Sequence, residues 1–361
     1  ADKKCIDQAG LLAAVGVGHL APEEPAQVAA DVTRAVTAAR RGAEGAVVVT
    51  MRSALLRAYG PEPAPVRAVA EQRLGLVGDD LEVLTAVLVE TWASRRPVVL
   101  AGRGAVRAGA RAALVQLAER TGALLGTTAA AKGCFTGEPY DVGVVGSFAT
   151  PEASGLLVTA DLVLAFGASL NQDTTYDGSI FGKARLVQID IDPAALGRYE
   201  PVDLGAVADA RAAAVELVAA LERREHHAVG FRTPEVAALL AGRRDEVATP
   251  DRGGPGGMDP RSLWITLDRM LPADRTVAVD GGNFQEWVIT HASMLDPTAF
   301  LWPVDYGAIG CGLGVALGAA MARPDRLTVL ATGDGGFAMS LADLDTAVRY
   351  GLNLLVGVNN N

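Results

Sequence analysis

The chain has 361 residues, half of them hydrophobic and a fifth charged, which is too long for one core and too apolar for a disordered polymer; two or three globular domains are expected. Its formal net charge of −10, with no local block of lysine and arginine, argues against a nucleic-acid partner or an anionic membrane surface. The longest apolar run, 309–321, falls short of the roughly 20 residues of a membrane span, and a cytoplasmic protein without a signal peptide is expected.

In chain order, residues 6–17 read as a short helix and turn. Residues 25–40 read as an amphipathic helix with a solvated start at Glu23 and Glu24, and 46–50 as a buried strand. Pro61, Pro63 and Pro65 mark a linker. Beyond it strand and helix alternate, with strands over 98–101, 123–127, Leu162–Phe166 and 186–190 and a helix over 106–121, the pattern of a parallel sheet covered on both faces. Gly102-Arg-Gly104-Ala-Val-Arg107 partly mimics a dinucleotide loop, but Arg107 replaces the third glycine. Asp190 and Asp192 stand where a ribose-binding acid could lie, yet strand-end turns attract Asp for their own geometry, and the structural reading is preferred. Residues 223–258 are charged and then glycine-rich, a second linker in which His226 and His227 receive no role. Cys5, Cys134 and Cys311 are widely spaced without a CxxC pair, which excludes a zinc knuckle and fits a reducing compartment; packing is their expected role.

The third stretch opens with a helix over 261–271 and a strand over 276–280 that runs into Gly281-Gly282-Asn283-Phe284-Gln285, a turn able to present backbone N–H groups to an anion. Gly307-Ala308-Ile309-Gly310-Cys311-Gly312 leads into a helix of small residues over 313–322. An apolar strand from Leu327 then breaks into Gly333-Asp334-Gly335-Gly336-Phe337, a helix follows over 341–350, Gly351 stops it, and 353–358 is a second strand ending in Asn359-Asn360-Asn361. Two parallel strands of such a βαβ unit bring their C-terminal tips together, so Asp334 and Asn361, 27 positions apart, can reach one point. A carboxylate and an amide oxygen beside a phosphate-cradling turn suit Mg²⁺, which takes few protein ligands and completes its shell with phosphate and water.

Gly333-Asp334-Gly335, then 24 residues, then Asn360-Asn361 resembles the Gly-Asp-Gly…Asn-Asn signature of thiamine diphosphate enzymes, in the same strand, helix, strand context. The resemblance implies thiamine diphosphate and Mg²⁺ as cofactors. It places Gly333, Asp334, Gly335, Gly336 and Phe337 at the diphosphate and makes Asp334 and Asn361 the metal ligands, with Asn360 as the fallback; the family's third ligand, a backbone carbonyl, lies two residues past Asn361. The segment 280–287 is similar to the diphosphate-touching segment of acetolactate synthases. It sets Gly282, Asn283, Phe284 and Gln285 at the cofactor, with Phe284 where the family has a polar His. Gly307, Ala308 and Ile309 match the cluster whose large aliphatic residue wedges between the two rings of the cofactor. Ile309 is therefore the expected wedge, and the bent cofactor makes proton removal effectively intramolecular. The same side chain is also expected to be buried in a packed glycine-rich helix.

Leu162-Val-Leu-Ala-Phe-Gly167-Ala168 and Val187-Gln-Ile-Asp-Ile-Asp192-Pro193 resemble the central domain of acetolactate synthase and of benzoylformate-type decarboxylases. Acetolactate synthases bind FAD there and many relatives bind nothing, which leaves FAD open. Lys4, Asp7 and Gln8 fit the end of the family's pyrimidine-binding domain, whose activating glutamate lies earlier; Glu23, Glu24 and Glu44 do not take that role.

The expected fold class is α/β with doubly wound parallel sheets, a thiamine diphosphate-binding fold with a Rossmann-like central domain. The expected order is the last part of a pyrimidine-binding domain at 1–60, a linker at 61–79, the central domain at 80–222, a linker at 223–258, and a diphosphate-binding domain at 259–361 that lacks its own C-terminal end. The resemblance implies decarboxylation of a 2-oxo acid with acyl transfer to an acceptor, as in acetolactate synthase. Simple decarboxylation shares every motif, and a non-catalytic scaffold that binds the cofactor or a nucleotide is the alternative of another class. The implied partners are a small 2-oxo acid and further copies of the chain in a homodimer or homotetramer, since in this family one subunit's diphosphate domain shares a site with another's pyrimidine domain.

Overall fold

The computed structural model describes residues 6–41, 46–52, 54–58, 74–76, 78–91, 96–242, 253–254, 257–303 and 307–360. The chain divides into two compact units, Ala1–Arg73 and Leu74–Asn361. The boundary falls inside the predicted 61–79 linker; the prolines of that linker, at 61–65, lie outside the described residues, as do Cys5, Lys4 and Glu44.

In the first unit, the helix Gln8–Ala14 is capped by Asp7, whose side chain accepts from the Gly10 N–H at 3.0 Å. That local job accounts for Asp7. Strand β1 (Gly18–Leu20) pairs in parallel with β2 (Val47–Val49), and the helix Pro25–Arg41 connects them. The expectation that the second strand is buried is corrected: none of its residues is fully buried and Val48 is 37% exposed, because a sheet with only two strands among the described residues has no strand on either outer edge to enclose it.

The second unit holds two parallel sheets. The first runs in the order β5-β4-β3-β6-β7-β8, built from β3 (Pro97–Ala101), β4 (Leu124–Thr127), β5 (Asp141–Val144), β6 (Leu162–Phe166), β7 (Arg185–Asp190) and β8 (Leu204–Val207). Continuous apolar runs such as Leu162–Phe166 are buried throughout, as strands covered on both faces by helices must be. The helix expected over 106–121 is two helices, Arg103–Ala108 and Arg111–Thr121, because Gly109 takes a left-handed conformation (φ +64°) that ends the first. The predicted linker at 223–258 contains a helix, Pro234–Gly242, and Phe231 and Leu240 are buried in the core on the Val98, Leu100 and Val163 side of the sheet. At its other end, the predicted 61–79 linker tail also joins this unit, where Leu76 N–H donates to Glu216 at 2.9 Å.

The second sheet runs β10-β9-β11-β12, from β9 (Arg275–Val279), β10 (Phe300–Leu301), β11 (Leu327–Gly333) and β12 (Leu354–Asn359). The two sheets share a core in which Ala129, Val144 and Phe148 of the first meet Trp264, Val277 and Val288 of the second. Phe148 meets the Trp302 ring edge-on, with centroids 5.6 Å apart. Three side-chain bonds to main-chain carbonyls cross this junction: Lys132 Nζ to Ile289 at 2.6 Å, Thr136 to Met294 at 2.7 Å, and Thr290 to Phe148 at 3.1 Å. Cys134 is buried in the first sheet's own core with Val99, Leu125 and Phe135, and burial pushes its thiol up to about 11. Cys311 is exposed, contrary to the packing role expected of it. Among the described residues no helix is long and apolar enough to cross a membrane.

Candidate active site

The site forms where β9, β11 and β12 end side by side. Ala331 lies opposite Val279 in the sheet, and Gly333 opposite Asn359. Three loops leave these tips or cross them: 280–284 after β9, 307–311 before the helix Gly312–Ala322, and the Gly333-to-Phe337 turn after β11. The predicted pairing of strand tips is therefore present, with Gly333 at the extended position that precedes the helix Asp334–Ser340. Asp334 is exposed on its first turn, where N–H groups have no partner within the helix. Asn359 ends β12 and spends its side-chain amide on the Thr332 carbonyl at 3.2 Å; Asn360 is exposed beyond it. Asn361, the second expected metal ligand, lies outside the described residues.

The glycines of this site divide into those the chain itself requires and those it does not. Gly307 and Gly310 have φ of +65° and +81°, the left-handed region that favours glycine. A Cβ on Gly282 would sit 2.6 Å from the Phe284 ring, and one on Gly336 would sit 2.6 Å from Asp280 Oδ2. Gly335 is different. Its φ is ordinary, a Cβ there would meet no described residue within 4 Å, and it stands exposed in a helical turn where alanine is intrinsically better. Gly333 would put a Cβ at an ordinary 3.4 Å from Phe284. The two glycines that flank Asp334 thus leave open a cradle that a Cβ would fill, which is the shape a close-lying diphosphate requires.

Phe284 is buried in the core, its ring underlying Gly282 and Gly333, so it offers the site a floor in place of a polar contact. Asn283 and Gly282 are exposed at the tip of their loop, and Gln285 accepts from Trp302 Nε1 at 3.1 Å. Ala308 and Ile309 lie against Gly281, where a Cβ would be 2.8 Å from the Ala308 carbonyl and 3.1 Å from Ile309 Cγ2. The expectation that Ile309 is buried in a helix is corrected: it stands in the loop before that helix and is 49% exposed, because the turn at Gly310 directs the chain away from the core before the helix begins. A large aliphatic side chain held in the open beside the cradle suits a wedge better than a buried one would.

Sequence reasoning missed Asp280 as a site residue. Its carboxylate is 1% exposed and accepts from Gly281 N–H at 2.9 Å, from Gly310 N–H at 3.0 and 3.1 Å, and from Thr332 Oγ1 at 3.1 Å. The signal was a strand-end Asp before two glycines, but its partners come from loops 30 and 52 positions away and have no fixed spacing to reveal them.

The central sheet changes direction between β3 and β6, the crevice where a doubly wound fold binds a dinucleotide. Here that crevice is closed. Gly102 N–H donates to Phe166 and Gly104 N–H to Gly167, both at 3.0 Å, and a Cβ on Gly104 would lie 2.7 Å from Gly167 Cα. These glycines serve loop-to-loop contact, and two of the N–H groups of this loop are already bonded to the main chain of the neighbouring strand's exit. Asp190, whose carboxyl burial pushes above the usual range, accepts the Asp192 N–H at 3.0 Å in a local turn.

Two family models match the chain: thiamine pyrophosphate enzyme, central domain, over residues 88–217, and thiamine pyrophosphate enzyme, C-terminal TPP binding domain, over 280–361. The acetolactate synthase large subunit IlvB1 of Mycobacterium tuberculosis is 31% identical over 283 residues, covering 74% of this chain and 44% of its own length. The acetolactate synthase of Mycobacterium avium is 30% identical over 275 residues, with the same shares. The acetolactate synthase large subunit of Parasynechococcus marenigrum is 28% identical over 270 residues, 74% of this chain and 43% of that protein. The chain spans about half the length of the curated relatives it matches. Two domain matches in the family's order, with a diphosphate cradle at the strand tips of the second, establish that the chain belongs to the thiamine diphosphate-dependent enzymes.

Proposed function

We propose that this chain carries the cofactor site of a thiamine diphosphate- and Mg²⁺-dependent enzyme that decarboxylates a 2-oxo acid and transfers the acyl group to an acceptor, in the manner of acetolactate synthase. The observation that carries this reading is the pair Gly333 and Gly335, glycines without a steric or conformational reason of their own on either side of an exposed carboxylate. Bound there, thiamine diphosphate supplies an electron sink for the carbon that loses CO₂. The residues of this chain bind and orient it. Asp334 and Asn361 would hold Mg²⁺, the turn at 334–336 would present backbone N–H groups to the diphosphate, and Ile309 would be the aliphatic side chain that orients the cofactor's rings. The names of the relatives support carboligation ahead of simple decarboxylation. The enzyme works on a small 2-oxo acid in the cytoplasm as a homodimer or homotetramer, in which another subunit's pyrimidine-binding domain brings the activating glutamate that residues 1–60 do not supply.

Calorimetry on the intact protein tests the cofactor assignment. Thiamine diphosphate should bind tightly only with Mg²⁺, and Asp334→Ala should abolish that binding while leaving the circular dichroism spectrum unchanged, because without the ion the carboxylate faces the diphosphate directly. Undiminished affinity in the variant would remove the metal role of Asp334. A panel of 2-oxo acids, with CO₂ and ligated product both quantified, then separates the reactions: CO₂ without ligated product identifies a simple decarboxylase.

A further inference from the structure

We infer that Asp280 is the positioning residue that fixes the Ile309 loop against the diphosphate cradle, an inference that rests on the cofactor reading above. The carboxylate joins its own loop to the wedge loop and to the end of the strand that leads into the cradle. It accepts the N–H of Gly281 in its own loop, the N–H of Gly310 next to Ile309 through both oxygens, and the hydroxyl of Thr332 just before the Gly333 turn. The surroundings are shaped to admit it. A Cβ on Gly312 would sit 2.7 Å from Asp280 Cβ, and one on Gly336 would sit 2.6 Å from its Oδ2 and 3.3 Å from Gly310 N. Two glycines, one in the helix after the wedge loop and one in the cradle, therefore make way for one carboxylate.

A carboxylate at 1% exposure is kept in a fold only where donors replace its water, and here the donors are loop groups whose positions it in turn sets. Gly310 is held from both sides, its N–H by Asp280 and its Cα against Met339, where a Cβ would be 3.1 Å from Met339 Cβ. Ile309 precedes this pinned residue directly. The height of the wedge above the cradle is thus set by Asp280, while the phosphate-binding turn keeps its own helix when the carboxylate is removed.

The consequence is a selective loss. Asp280→Ala should weaken binding of thiamine diphosphate with Mg²⁺ by about tenfold or more, the scale of a lost bond to a charged group, while binding of inorganic diphosphate with Mg²⁺ changes by no more than about threefold, since it meets the cradle alone. Asp280→Asn should restore both affinities, because its amide oxygen still accepts from Gly281 and Gly310 and its NH₂ can donate to the Thr332 oxygen. Gly312→Ala, which presses a methyl on Asp280, should reproduce the selective loss more mildly and serves if Asp280→Ala does not fold. All are titrated by calorimetry on the intact protein beside wild type. Wild-type protein that binds neither ligand sinks the cofactor reading itself. Wild-type binding with a loss in the folded variants that is equal for both ligands, or absent, overturns the positioning role.

Discussion

The sharpest test of the cradle uses two adjacent glycines that sequence cannot tell apart. Gly335 and Gly336 occupy the same helical turn with ordinary φ, so alanine at either gains intrinsic helix stability of about 0.5–1 kcal/mol. At Gly335 no described residue opposes that gain, because none lies within 4 Å of the new methyl. At Gly336 the methyl would come within 2.6 Å of Asp280 Oδ2, and that oxygen cannot retreat without releasing Thr332 and Gly310. Overpacking of this kind costs about 1–3 kcal/mol, which leaves a net loss on the order of 1–2 kcal/mol after the helix term is subtracted. The helix term is common to both, so the two variants should differ by the overpacking cost alone, about 1–3 kcal/mol, or roughly 0.5–1 M in urea midpoint at a denaturant slope of about 2–3 kcal/mol/M. Fluorescence reports this locally, since Trp264, Trp287 and Trp302 all belong to the core beneath the site. Binding should invert the ranking for Gly335→Ala: the more stable protein should bind thiamine diphosphate with Mg²⁺ at least about tenfold more weakly, about 1.4 kcal/mol, because its methyl occupies the phosphate's place. Gly335→Ala with undiminished affinity, or Gly336→Ala as stable as Gly335→Ala, would refute the division of these glycines.

Ile309→Ala should share the loss of thiamine diphosphate affinity expected of Asp280→Ala and should lower turnover by a larger factor than that, because an exposed wedge acts on ring geometry; equal turnover by wild type and variant in a steady-state assay would remove the wedge role. His291 carries a pH dependence. Burial, then the charges of Lys132 and Arg261, hold its imidazole below the ordinary 6.5 against the opposite pull of Asp259 and Asp268, so the unfolded chain binds a proton that the folded protein resists. Its contribution to stability is then complete above pH 6.5 and declines as pH falls below that value. His291→Gln should flatten the stability profile between about pH 7 and about pH 5, and a urea titration series with an unchanged slope would exclude His291 as the source.

Much of this fold was legible because the signals were local. Continuous apolar runs marked β6, β7, β9, β11 and β12, and their alternation with helices called for parallel sheets. The Gly333-to-Asn359 interval gave the meeting of two strand tips because a βαβ unit of that length has few ways to close. What escaped notice was set by contacts distant in sequence. The short strands β1, β5, β8 and β10 owe their pairing to neighbours. The helix Pro234–Gly242 looked like linker because a polar and glycine-rich stretch follows it, yet Phe231 and Leu240 anchor the segment in a core assembled from strands more than 60 residues earlier. Ile309 was expected inside a helix from its small neighbours, and it took the left-handed turn at Gly310 to place it outside.

Two glycine loops after parallel strands, at 102–104 and at 333–336, read almost alike and end in opposite states. In the central sheet the loop meets another loop: Gly104 gives its N–H to Gly167, and a Cβ on Gly102 would overlap the Gly167 carbonyl, so glycine is demanded by the protein's own backbone. In the second sheet the turn at Gly333 and Gly335 faces no atom of the described residues that would demand it. The difference arises from the strands beside them. β6 stands beside β3 and its exit at Gly167 meets Gly102 and Gly104, whereas β12 stands beside β11 and its last residue, Asn359, turns its side chain onto the Thr332 carbonyl, with no described residue within 4 Å of a Cβ on Gly335. A glycine loop therefore marks an anion site only where the neighbouring strand's exit clears the space above it, and that exit is a property of the sheet order.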